Sequence, residues 1–203
     1  EDIYGVCEGL MKHIWKKTLD IDIKIPFVRF TYEEAMNRFG IDKPDIRFGL
    51  EIIDVTEVAK ESEFGVFKDA EVIKCLNPEK EMSRKELDKY GDFCIKEGGA
   101  KGMAWLKVTD KGLEGSIAKF FPEEIQKKLI DITKAKPGSV LMFIADKWLK
   151  TCETLGILRL KLAKDLELIK NKDEFKFCWV TRFPLFEWKE ADNRWAPMHH
   201  IFS

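Results

Sequence analysis

Residues 140–145 read VLMFIA, the most apolar short run in the sequence. A run this short with no polar member predicts a central strand, buried and flanked by other strands. The surrounding sequence supplies candidates to flank it. Residues 50–55 read as a strand, followed by a short helix or turn over 56–60. Residues 70–76, AEVIKCL, alternate and predict a second strand, broken by Asn77-Pro78. Ser83 with Glu86 forms a capping box that opens a helix over 84–97. The glycine-rich GGAKG at 98–102 supplies a helix C-cap and a tight turn before a strand over 103–108. It precedes a strand rather than a helix and lacks phosphate-loop spacing, so it does not predict an anion site. A strand is expected over 113–121, a helix after Pro122 over 123–133, and a turn at KPGS, 136–139. The last helix of this block, 147–162, offers Trp148, Leu155, Leu158 and Leu162 to a core. Gly156 inside it costs about 1 kcal/mol relative to alanine and so points to close packing or a break. Strands and helices come in β-rich blocks rather than strict βαβα alternation. That predicts an α+β class, a two-layer α/β sandwich with an antiparallel sheet.

The two ends read differently. Residues 1–19 place Ile3, Val6, Leu10 and Ile14 at helical spacing, with His13 a surface residue lacking any metal-binding partner three or four positions away. A short strand follows Pro26 at 27–30. Thr31 and Glu34 form a second capping box for a helix over 32–38 that Gly40 ends. The loop GIDKPDIRFG, 40–49, carries Asp42, Lys43, Asp45 and Arg47 between proline and glycine breaks. It is either a solvated surface loop or one that holds opposite charges beside a polar substrate. At the other end, aromatic-rich runs at 176–188 and 195–203 flank a polar segment containing Asp192-Asn193, a hairpin pattern. The second run includes His199 and His200, two of the three histidines. Adjacent strand residues point to opposite faces, so one of the pair, not both, should enter a pocket. An imidazole there can donate to a carboxylate, and when protonated it favours a charged Asp over a neutral Asn.

Composition narrows the classes further. With 35 basic and 36 acidic residues there is no global positive field for nucleic acid. The five scattered cysteines lack zinc or disulfide spacing, which predicts buried thiols in a reducing compartment. No signal peptide and no 18-residue apolar run appears, predicting a soluble protein. The chain opens at Glu1 inside a helical pattern and stops just after its histidines. It therefore reads as a piece of something larger, with boundaries near 48–56 and 168–174.

The segments RFTYEEAMNRFGIDKPDIRFGLEIIDVT, EGGAKGMAWLKV, IAKFF, LMFIAD, LGILRLKLAKDLEL and WVTRFPLFEW…RWAPMHH run in the order found in one family. Together they resemble the bacterial-type aspartyl-tRNA synthetases of class II, over essentially the whole chain. The resemblance implies three parts. Residues 1–52 would be a catalytic-domain segment following motif 2, residues 53–170 an inserted GAD-type domain, and residues 171–203 the return to the catalytic domain. It implies activation of aspartate with ATP and Mg²⁺ and transfer to the 3′ end of a tRNA, by a cytoplasmic homodimer with no membrane or DNA partner. It carries His199 over as an aspartate contact and His200 as secondary. Ile201 departs from the family, which usually has proline there. The arginines of motifs 2 and 3 have no counterpart in the 203 residues, so this stretch alone is expected to be inactive, with no bound cofactor or metal of its own. The alternative is a non-catalytic tRNA- or domain-interaction module, as in the tRNA-dependent transamidase subunit that shares the inserted domain, with Lys101, Lys107, Lys111 and Lys119 as phosphate contacts. A metal hydrolase built on the histidine pair lacks a third ligand at suitable spacing.

Overall fold

A computed structural model describes residues 1–171, 173–189 and 192–198. In chain order its elements are α1 (Asp2–Leu19), β1 (Val28–Thr31), α2 (Tyr32–Phe39), β2 (Ile53–Asp54), α3 (Thr56–Lys60), α4 (Gly65–Asp69), β3 (Val72–Leu76) and α5 (Arg84–Lys96). Next come β4 (Ala104–Thr109), β5 (Gly112–Glu114), a 3₁₀ turn (Ala118–Phe120), α6 (Glu123–Thr133), β6 (Val140–Asp146), α7 (Trp148–Asp165), β7 (Cys178–Thr181), β8 (Phe186–Lys189) and β9 (Arg194–Pro197).

The VLMFIA run forms most of β6, the middle strand of a five-stranded sheet ordered β2-β3-β6-β4-β5. Every pairing in this sheet is antiparallel. Alternation explains why the run has no polar member. Leu141 and Phe143 face a core built with α3, α4 and α6, while Val140, Met142 and Ile144 face one built with α5 and α7. The α+β class and the antiparallel sheet hold. Where the sequence suggested a single helical layer, the short helices α3 and α4, with α6, supply a second on the opposite face.

Both capping boxes form. Thr31 Oγ1 accepts from Glu34 N at 3.1 Å and Ser83 Oγ from Glu86 N at 3.3 Å, with each glutamate reaching back to its cap residue. Replacing Ser83 by alanine removes one of these reciprocal pairs. We expect a loss of about 1 kcal/mol, read as a lower urea midpoint with an unchanged slope. The GGAKG turn ends α5 as expected, with Gly99 at φ 62 and Ala100 N donating to Cys94 O at 3.1 Å. Burial pushes the Cys94 thiol up to about 12 and Cys152 to about 11, and it raises Cys75 as well.

Three strand expectations change. The strand over 50–55 shrinks to Ile53–Asp54, because Phe48, Leu50 and Ile52 turn into the α5/α7 core and Ile52 N donates to Arg38 O at 2.8 Å rather than to a strand. The strand over 113–121 stops at Glu114. Gly115, at φ 144 with the Trp105 ring against it, turns the chain into the 3₁₀ turn. Among the described residues the expected hairpin forms between β8 and β9, where Trp188 opposes Trp195, and the end of its second arm, 199–203, lies outside them. The start of its first arm, Cys178–Thr181, also pairs in parallel with β1. Arg182 at φ 56, followed by Phe183-Pro184, breaks the run between the two sheets.

Helix α1 turns Glu8, Tyr4 and Trp15 inward and leaves most of its other polar residues exposed. Buried Glu8 accepts from Phe27 N at 3.1 Å and from Trp179 Nε1 at 2.9 Å. Tyr4 lies edge-on to Trp179, and Trp15 edge-on to Phe175 and Phe177. The aliphatic stripe faces out, with Ile3 76%, Val6 71% and Leu10 56% exposed.

Candidate functional site

The ends of the chain meet on a small platform. Helix α2 contributes Tyr32 and Met36 and helix α7 contributes Cys152, all buried and in mutual contact. Trp148, Val180, Phe183 and Met198 pack against this cluster. Met198 is further fixed through its backbone, its N–H donating to Leu185 O at 3.0 Å. His199 and His200 come directly after Met198 in the sequence and lie outside the described residues.

The platform is braced from the sheet. Lys74, at the centre of β3, has a side chain only 1% exposed. Its ammonium donates to Asn37 Oδ1 at 2.7 Å and stands 3.1 Å from Asp54 Oδ2. The same Asn37 oxygen accepts from Trp148 Nε1 at 2.8 Å. A buried ammonium is tolerated only when paired in this way; the Asn37 oxygen joins α2, β3 and α7, and Lys74 ties in β2 through Asp54.

The charged loop after α2 is braced too. Asp45 and Arg47 form a two-pronged pair, with Arg47 Nη2 2.7 Å from Oδ2 and Nε 3.0 Å from Oδ1. The hydrogen bond from Arg47 holds the Asp45 carboxyl below the usual range, against an opposing effect of burial. Arg159 of α7, fully buried, reaches across to this loop. Its Nη2 donates to Asp45 O at 2.9 Å and to Phe48 O at 3.2 Å, and its Nε donates to Leu50 O. The guanidinium lies 4.0 Å from the centre of the Phe48 ring. Burial pushes its pKa down to about 10, still far enough above neutrality to keep it charged. Two of the loop's four charges, Asp45 and Arg47, are thus spent on each other. Helices α2 and α7 also touch directly at Gly40 and Gly156.

A cavity of about 850 Å³ opens elsewhere, beside the end of β6. Phe64, Phe67, Met103, Trp105 and Phe143 line it, and Lys101 borders it. None of the platform residues lines it. Lys107 lies on β4, Lys111 in the turn to β5, and Lys119 on the 3₁₀ turn with its ammonium 5.0 Å from the Phe120 ring. His13 is exposed on α1, and among the described residues no group of three His, Cys, Asp or Glu side chains is placed to hold a metal ion. Among them, too, no helix is long and apolar enough to cross a membrane.

The residues that sequence reasoning passed over are Asn37, Lys74, Trp148 as a donor, and Arg159. Two signals were present: a lysine at the middle of the apolar strand VIKCL, and an arginine inside the apolar stretch LGILRLKL.

Comparison with known proteins agrees with the resemblance carried by these motifs. A family model described as GAD domain matches residues 65–155. The whole chain aligns with the aspartate–tRNA ligase of Clostridium beijerinckii at 42% identity over 209 residues, and with that of Shouchella clausii at 46% over 210. It also aligns with the aspartate–tRNA(Asp/Asn) ligase of a Geobacillus species at 44% over 210. In each case the match takes in 100% of this chain and 35% of the relative. The chain thus spans about a third of the length of the curated relatives it matches.

Proposed function

From a GAD domain set in a chain that matches bacterial aspartate–tRNA ligases from end to end, we propose that these residues are part of such a ligase. The ligase activates aspartate with ATP and Mg²⁺ and transfers it to the 3′ end of its tRNA, as a cytoplasmic homodimer. The carrying observation is identity of 42–46% that extends beyond the GAD domain to both ends of the chain. A shared interaction module would need only the middle block.

In this reading residues 53–170 are inserted between catalytic segments at 1–52 and 171–203. The parallel pairing of β1 with β7 supports it, since it brings chain from either side of the block together. The outward aliphatic stripe of α1 also supports it, because a contiguous exposed apolar strip suits a surface covered by further chain.

His199 is the residue we place on the aspartate, donating a hydrogen bond to a carboxylate, with His200 secondary. ATP, with Mg²⁺, would supply the adenylyl group that activates the aspartate carboxylate, with pyrophosphate as the leaving group, in the ligase as a whole. The test is aspartate-dependent ATP–pyrophosphate exchange by the full-length protein. We expect exchange with aspartate and a KM for aspartate raised about 10- to 100-fold in His199→Ala, the cost of one charge-assisted hydrogen bond. The same change at His200 should matter several-fold less. Exchange that fails with aspartate in the wild type would leave the interaction-module reading in its place.

A further inference from the structure

We propose that the cavity beside β4 binds an extended peptide that adds as a strand to the free edge of β4. An apolar side chain of the peptide fills the cavity, and a basic one lies at its charged end. This does not depend on the ligase reading. The free edge follows from the register. Val108 N donates to Ser139 O at 2.9 Å, so the even-numbered main chain of β4 faces β6 and the odd-numbered main chain faces the other way. On that other side Lys107 pairs with Glu114, the last residue of β5. Past Glu114 the chain turns off at Gly115 into the 3₁₀ turn. Among the described residues no hydrogen bond reaches the outward main chain of Met103 or Trp105.

A short free edge is ordinary on its own. This one opens onto a cavity of about 850 Å³, within the roughly 300–1,000 Å³ range of ligand pockets. Residues 103–105 border it, together with Ser116 and Ile117 from the chain that continues past β5. Phe67 and Phe143 line it from the core on the α4 face of the sheet, and Val66, which also lines it, is 58% exposed. Alternate residues of an added strand point to opposite faces. One of them therefore turns over the α4 face and covers apolar wall that otherwise meets water. Main-chain pairing gives such a site its affinity, and the cavity gives it side-chain choice. Charge narrows that choice. Val72 pairs with Asp146 and Ala104 with Phe143, so the starts of β3 and β4 and the end of β6 share one end of the sheet. Glu71, Asp146, Lys101 and Lys147 line the cavity at that end, and Asp69 joins them in its lining. Three carboxylates against two ammoniums favour an arginine or lysine on the occupant and oppose a phosphate backbone.

The test titrates the full-length protein against an acetylated, fluorescein-labelled hexapeptide in which leucine alternates with threonine before a final arginine. We expect saturable binding by anisotropy, together with slowed hydrogen exchange at the Met103 and Trp105 amides. Ala145→Leu fills part of the cavity from β6 and should weaken binding about tenfold, the factor lost with one buried apolar side chain. Glu71→Lys should weaken it about threefold, as for an exposed ion pair. Methylating the peptide nitrogens in one alternate frame should abolish saturable binding. Methylating the other frame should change it by less than about twofold, because an added strand pairs along one side only. Should Ala145→Leu fail to fold, the two methylated peptides decide. Absence of saturable binding overturns the proposal, and so does equal loss in both frames, which marks apolar adhesion without strand pairing. Unchanged affinity in a folded Ala145→Leu overturns it too. Slowed exchange at the two amides with bulk tRNA and not with the peptide overturns it in favour of a nucleic acid.

Discussion

Alanine at Gly156 is expected to destabilise the protein by about 2–3 kcal/mol, although alanine is the better helix former. A Cβ built there would stand 2.5 Å from Gly40 O, 2.8 Å from its carbonyl carbon and 3.0 Å from its Cα. All three are backbone atoms, so no side chain can turn aside. The facing residue has no slack either. Gly40 sits at φ 72, and its own added Cβ would fall 2.1 Å from Cys152 O. Helix propensity favours alanine by about 1 kcal/mol, while overpacking a fitted contact costs about 1–3 kcal/mol and occasionally more. With only main-chain atoms to move, and α2 and α7 to be pushed apart, the upper part of that range applies. Gly91 on the outer part of α5 provides the control, since nothing lies within 4 Å of the Cβ it lacks. Gly91→Ala should therefore raise the urea midpoint where Gly156→Ala lowers it. A raised midpoint in both would mean that the two helices do not meet as described.

Gly156 was legible in the sequence as an anomaly inside a helix, and so were the elements with strong local signals. The capping boxes at Thr31 and Ser83 form because each depends on residues three apart and on nothing distant. VLMFIA lands at the centre of its sheet because a run with no polar member leaves few alternatives. Misreadings gather where a distant partner decides. Residues 113–121 have strand-forming composition, but the Trp105 ring against Gly115 ends the strand early. Cys178–Thr181 carries no local sign of its pairing with β1, about 150 residues back in the sequence. The stripe of α1 has the right period but faces out, since period fixes which residues share a face and not what covers that face. For the site, a hydrogen-bond clamp such as Lys74–Asn37–Trp148 joins residues 37 and 111 positions apart. No local pattern announces it. The two histidines that the sequence singles out lie outside the described residues.

Arg159→Met should cost about 3–5 kcal/mol, the range for stripping one partner from a buried charged contact. Methionine keeps much of the bulk beside Phe48 and Phe39 but has no donor for the carbonyls of Asp45, Phe48 and Leu50. A buried carbonyl without a partner costs about 1–3 kcal/mol, and three are set free together. Against this stands the relief of no longer burying a charge, and one guanidinium nitrogen, Nη1, is buried without a partner. The carbonyls outweigh that relief because they belong to an irregular loop with no strand or helix to satisfy them otherwise. Arg159→Lys should recover only a minority of the loss, since one ammonium cannot reach across the span a planar guanidinium covers. The damage should also be local first, so proteolysis or hydrogen exchange at residues 41–49 should rise before the sheet is affected. Asp45 and Glu51 have pKa values lowered in the fold, chiefly by hydrogen bonds from Arg47 and Arg38. Their contribution is present above the unfolded carboxylate pKa of about 4 and is lost as pH falls through the folded values. Above that range Asp45, Glu51 and Arg159 all keep their charge, so the gap between wild type and Arg159→Met should hold steady from about pH 6 to 8. A gap under about 1 kcal/mol across that range would show that the loop is held by its own Asp45–Arg47 pair and not from α7.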